Sequence, residues 1–245
     1  PDVLDSGHVG AVGVELLNRL HPAPVPLRIA ATRRAPLPMG AGFTEGVLID
    51  ALHDGGVLHA TQYVDGPGES DLVGTWIPTP RPAAEVLELV PTSAGPVVQW
   101  ADRSVQLLTV DGGQLQLASD AGLLRPGTAA SAGTTPTALW TTANTVHFMD
   151  GGGFSVPSGL DIVEVINLGD DTWAFTTGGV YRHRTTGAPE LLRDGGVPFA
   201  RTLALTAGFL PYEAEPFFAF LVPTDGGAGL SPWLRRQDGT LDTTR

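Results

Sequence analysis

Ile162-Val163-Glu164-Val165-Ile166-Asn167-Leu168, Trp173-Ala174-Phe175-Thr176, Val180-Tyr181-Arg182-His183-Arg184 and Glu190-Leu191-Leu192-Arg193 are four short runs rich in β-branched, aromatic and aliphatic residues. Such runs suit pleated, half-buried strands. The first and second are parted by Gly169-Asp170-Asp171, and the second and third by Gly178-Gly179. Glycine and aspartate adopt the positive φ angles that tight hairpin turns need. Residues 162–197 therefore read as four antiparallel strands in chain order.

The same device recurs along the chain. Val47 to His53 and Val57 to Tyr63 flank Asp54-Gly55-Gly56, and Val105 to Val110 and Gln114 to Leu117 flank Asp111-Gly112-Gly113. Thr145 to Met149 runs into Asp150-Gly151-Gly152, and Phe218 to Val222 precedes Asp225-Gly226-Gly227. Five hairpin units over this length give about 40 residues each, the scale of a four-stranded propeller blade. With 162–197 as its clearest unit, the chain resembles bacterial and phage β-propeller repeat proteins. The resemblance implies an all-β, propeller-like body of about five blade units. The spacings between Gly55, Gly112, Gly151, Gly178 and Gly226 are uneven, at 57, 39, 27 and 48 residues. A β-sandwich or an irregular antiparallel barrel stays open as the alternative.

Composition narrows the chemistry. The 245 residues include 32 Gly and 21 Pro, and 42% are hydrophobic. That is too apolar for a disordered chain and too rich in turn formers for a helical one. All 14 basic residues are Arg. Without Lys there is neither a Schiff-base catalyst nor a Walker-type phosphate loop. Without Cys there is no disulfide, thiolate nucleophile or thiolate-held zinc. The net charge of −12 disfavours nucleic acid and anionic membrane surfaces as partners. No run approaches 18 apolar residues, and the first residues lack the basic-then-apolar pattern of a secretory signal, so a cytoplasmic or virion-associated protein is expected.

Residues 1–43 differ from 44–245. They carry four Arg against three acids, whereas the remainder carries 10 Arg against 23 acids. Ser6 to Leu20 has helical apolar spacing interrupted by three glycines, and His21 to Pro26 must be extended. The segment reads as an N-terminal arm or cap, with Arg28, Arg33 and Arg34 as candidate partner-binding residues that pair with carboxylates of another subunit. The alternative is that residues 26–34 form an edge strand of the chain's own body.

Candidate chemistry is sparse. His53 and His59 flank one turn and suggest a cross-strand metal pair without a third ligand. Asp65-Gly66-Pro67-Gly68-Glu69-Ser70-Asp71 places three carboxylates in a glycine-rich loop, a donor type suited to Ca²⁺ but without EF-hand spacing. Asp50, Asp102, Asp161 and Glu164 are candidate acids for glycoside hydrolysis, and Trp76, Trp100, Trp140, Trp173 and Trp233 are candidate sugar platforms or core residues. No nucleophile elbow is present. No metal and no cofactor are expected. The expected function is a non-enzymatic structural or binding subunit of a larger, oligomeric protein assembly, such as a phage virion or tail component. A glycan-binding or glycan-cleaving propeller is the alternative.

Overall fold

The computed structural model describes residues 31–37, 45–53, 55–65, 69–128, 136–168, 171–197, 204–209, 216–225, 227–235 and 241–242. The helix expected over Ser6 to Leu20, the extended His21 to Pro26 stretch and Arg28 lie outside these residues.

The described chain forms five four-stranded antiparallel sheets, each a meander in which consecutive strands are neighbours. The first holds β1 (Ala31–Leu37), β2 (Glu45–His53), β3 (Gly56–Asp65) and β4 (Glu69–Pro78). The second holds β5 (Val86–Thr92), β6 (Gly95–Trp100), β7 (Val105–Leu108) and β8 (Gln114–Ala118). The third holds β9 (Leu124–Thr128), β10 (Pro136–Thr142), β11 (Thr145–Phe148) and β12 (Gly153–Ser155). The fourth holds β13 (Ile162–Leu168), β14 (Asp171–Thr176), β15 (Gly179–His183) and β16 (Glu190–Asp194). The fifth holds β17 (Ala204–Phe209), β18 (Pro216–Thr224), β19 (Gly227–Arg235) and β20 (Leu241–Asp242). This is the propeller-like, all-β architecture expected from the sequence. Helix is confined to one 3-10 turn, Ala83–Glu85, among the described residues. No helix there is long and apolar enough to cross a membrane.

The fourth sheet coincides with the blade read from residues 162–197. The uneven glycine spacing also has a structural reason. Gly55 and Gly178 turn the chain between the second and third strands of their sheets, whereas Gly112 and Gly151 turn it between the third and fourth. The glycines thus mark two phases of one repeat. Two further second-to-third turns escape a glycine search, because Arg103 and Ala143 take the left-handed conformation there, with φ of 66° and 47°.

Part of the segment expected as an arm is a strand. Ala31–Leu37 pairs with β2 along its whole length, with Arg33 opposite Asp50 and Arg34 opposite Ile49. A boundary at residue 43 therefore falls between two paired strands. β1 ends the order of its sheet, a place where Pro36 is tolerated because one side of the strand makes no ladder bonds.

The chain divides into two compact units, residues 1–139 and 140–245. In the first unit, Leu52, Val57 and Ile77 of the first sheet pack with Leu89, Val98, Trp100 and Leu108 of the second. In the second unit, Trp173, Phe175 and Val180 of the fourth sheet pack with Phe218 and Phe220 of the fifth. Leu52 is the cross-strand partner of Val57, and Phe175 is that of Val180. Both hairpins therefore use the same register position to bury their apolar face.

Gly95 and Gly112 separate two ways in which a glycine becomes necessary. Gly112 has φ of 86° with open space where a Cβ would lie, so a substitution there strains only the backbone. Gly95 has φ of 130°, and a Cβ on it would sit 2.2 Å from the Leu108 carbonyl oxygen. Gly112→Val is expected to cost more than about 1 kcal/mol, and Gly95→Ala more than Gly112→Ala because a rigid neighbour must also move. Urea melts of the three variants check this, and Gly112→Val without effect would contradict the turn.

Candidate functional site

The sequence-expected acids are not gathered in one place. Asp50 lies in β2, Asp102 in the β6–β7 turn, Asp161 just before β13 and Glu164 within β13. Each has structural work. The buried Glu164 accepts the Val165 amide at 3.0 Å through Oε1. Asp161 exchanges backbone and side-chain hydrogen bonds with Thr177, its amide donating to the Thr177 hydroxyl.

Asp102 shapes the glycine-free β6–β7 turn. Its Oδ1 accepts both the Ser104 hydroxyl at 2.5 Å and the Ser104 amide at 3.0 Å. Its Oδ2 takes a hydrogen bond from Arg81 at 2.7 Å, and the Arg81 guanidinium lies 5.2 Å from the Trp100 ring centre. The Ser104 hydroxyl first, then Arg81, hold the carboxyl down to about 2.

The first sheet carries the most unusual group. Asp50 is fully buried. One oxygen lies 2.6 Å from His59 Nδ1, and the other, Oδ2, has no hydrogen-bond partner. Asp50 and His59 are directly opposed in the β2–β3 register. Burial pushes the Asp50 carboxyl above its ordinary value, against the hydrogen bond and charge of His59, which lower it. The expected His53–His59 pairing is replaced by this one. The two-residue turn puts His53 opposite Gly56, three register positions away.

At the matching position of the fourth sheet stand Trp173 and Arg182, also cross-strand partners. The Arg182 side chain is 5% exposed, reaches Glu190 at 2.5 Å and Asp171 at 3.8 Å, and lies over the Trp173 ring at 5.8 Å. Its Nε is buried without a partner. His183, on the following position, stacks on Phe154 at 4.5 Å, and burial lowers its pKa against the opposing effects of the Gly187 backbone and Asp171. Sequence reading missed these contacts. Only the strand register, set by turn length, would have revealed them.

The remaining candidates are dispersed. Trp100 and Trp173 are core residues and offer no sugar-stacking face. Trp140 is buried and stacks on His147 at 6.0 Å. Residues 66–68 of the acidic loop lie outside the described residues, and Asp65 and Glu69 are register partners at the β3–β4 end. Arg33 and Arg34 are neighbours in β1, opposite Asp50 and Ile49 in the register, and Arg28 lies outside the described residues. No group of three or more metal-ligating residues occurs among the described residues.

No family model matches the chain, and no curated protein does. Among solved structures, a chain of the S. cerevisiae core factor superposes with a TM-score of 0.51 at 8% identity, covering 90% of this chain and 40% of that one. BBS1N, solved in complex with ARL6DN, gives 0.49 at 13% identity, covering 89% and 69%. The CNH domain of AfRom2 gives 0.44 at 8% identity, covering 89% and 74%. This chain thus spans two-fifths of the core-factor chain it resembles, and at such identity the likeness speaks to the fold alone.

The Asp102 turn gives a direct test. A carboxyl held below its ordinary value supplies stability above about pH 3.9 that is lost as the pH falls toward its folded value. By carboxyl NMR, Asp102 should titrate near 2. Ser104→Ala should raise that midpoint more than Arg81→Ala does. An Asp102 midpoint at the ordinary value would contradict the geometry.

Proposed function

We propose that the chain is a non-enzymatic binding or structural subunit of a larger protein assembly, with other protein subunits as partners. The observation that carries this reading is the placement of exposed apolar side chains. Val73 is 62% exposed, Leu115 55% and Leu191 48%. They lie on β4, β8 and β16, the fourth strands of three sheets. Each of these strands ends its sheet order. A terminal strand offers unpaired backbone groups along one side, and an exposed aliphatic side chain beside them favours a covering surface.

Charge supports the same reading. Residues 44–245 hold 23 acids against 10 Arg, and Arg28, Arg33 and Arg34 belong to the oppositely balanced first segment. An acidic body and an Arg-bearing segment suit contact between copies or subunits, through charge-assisted bonds from guanidinium to carboxylate. A virion or tail component is the kind of assembly this combination fits, by analogy with β-rich, Cys-free structural proteins.

Size-exclusion chromatography with light scattering tests the reading. The purified chain should run at a multiple of 25.5 kDa. The triple variant Val73→Asp, Leu115→Asp, Leu191→Asp should run as a monomer with its melting temperature within a few degrees of the parent, as surface changes usually leave stability within about 0.5 kcal/mol. Removal of residues 1–30 should weaken association and leave β1 in place, whereas removal of 1–40 should also lower the melting temperature. A parent chain that stays monomeric and binds a glycan array would overturn the reading.

A further inference from the structure

We propose that Asp50 and His59 form a proton-operated lock at the junction of the first and second sheets. Directly opposed residues of an antiparallel pair share a face of the sheet. Asp50 and His59 therefore lie on the same face as Leu52 and Val57, the opposed pair two positions closer to the turn. That face is packed against Leu89, Val98, Trp100 and Leu108 of the second sheet. The pair is thus sealed at an apolar junction: the Asp50 side chain is 0% exposed and that of His59 11%.

The neighbouring elements bring little compensation. Arg33 of β1 is the register partner of Asp50, yet Asp50 Oδ2 has no hydrogen-bond partner. On β4 the residue opposite His59 is Thr75. The acids of β5 are few, and Glu88 has its carboxylate 3.9 Å from Arg125 of β9. The strand β6 contains no titratable residue. Arg81, beside Trp100, is held by Asp102.

The proton count then decides the behaviour of the junction. A carboxylate and an imidazole sharing one proton carry a net charge of −1, and a second proton makes the pair neutral. An uncompensated charge in an apolar seal is costly, so the closed junction retains the second proton more tightly than the unfolded chain does. Burial, which raises the Asp50 carboxyl, works in this direction. The stability supplied by the lock is therefore present at mildly acidic pH and lost as the pH rises through the folded value. When the proton leaves, the bare carboxylate is best hydrated by local opening of the β2–β3 hairpin. The matching place in the fourth sheet holds Trp173 and Arg182. Arginine keeps its charge throughout this range, so that hairpin has no such proton to lose.

Hydrogen exchange of the full chain, corrected for intrinsic rates and compared at about pH 5.5 and about pH 8, tests the lock within the range where histidine pairs titrate. Peptides over β2–β3 should exchange about tenfold faster at the higher pH, while those over β14–β15 keep their protection. Asp50→Asn should abolish the difference and leave β2–β3 protected at both values. Equal protection in the parent, or a difference that persists in Asp50→Asn, would overturn the proposal. Should Asp50→Asn fail to fold, NMR of the parent decides. An Asp50 carboxyl that titrates above its ordinary value supports the lock, and one that titrates at its ordinary value overturns it.

Discussion

A four-stranded sheet has two faces and only one chain's worth of side chains with which to cover them. This constraint governs the molecule, because a lone meander of about thirty residues cannot bury enough apolar area to be stable. The solution in each unit is the same. The hairpin of the second and third strands presents a cross-strand apolar pair to the neighbouring sheet. In the first unit the pair is Leu52 and Val57, and in the second it is Phe175 and Val180. Burying side chains of this size is worth roughly 1.5–3 kcal/mol each. The aromatic set adds directional contacts, with Phe175 edge-on to both Phe218 and Phe220 at 5.3 and 4.8 Å.

Two register positions farther from the turn, on the same face, the repeat tolerates variety, and that variety gives the sheets their individual chemistry. The first sheet places a buried acid and a histidine there, and the fourth a tryptophan under an arginine. Arg182 is paired with Glu190 and Asp171. Asp50 has only His59, and one oxygen is left unsatisfied. Unsatisfied buried groups are rare in folded proteins and mark places where stability has been given up for something else. The two sheets thus share a scaffold position and differ in whether its charge can be removed by a proton.

Much of the fold was legible in the residues. Asp-Gly and Gly-Gly announced hairpins at Gly55, Gly112, Gly151 and Gly178, and at the first three the turn takes a positive φ that other residues resist. Gly226 lies outside the described residues. The repeat itself was hidden, since its turns use glycine at two different phases and dispense with it at Arg103 and Ala143. There the Asp102 side chain, bonding Ser104, does locally what glycine does by lacking a Cβ. The site was less legible. Asp50 stood out as an acid and His59 as a possible ligand, but their pairing depends on the length of one turn. In this register His53 meets Gly56 and His59 meets Asp50. Side-chain burial, which makes Asp50 unusual, follows from sheet-to-sheet packing, and strand periodicity does not encode it.

The first sheet packs on the second, and the fourth on the fifth, through the apolar face of its second-to-third strand hairpin. A double-mutant cycle between Phe175 of the fourth sheet and Phe218 of the fifth measures this junction most directly, since their ring centres lie 5.3 Å apart at 74°. A coupling of about 0.5–1.5 kcal/mol between Phe175→Leu and Phe218→Leu is expected in urea unfolding. Strictly additive effects of the two substitutions would contradict it.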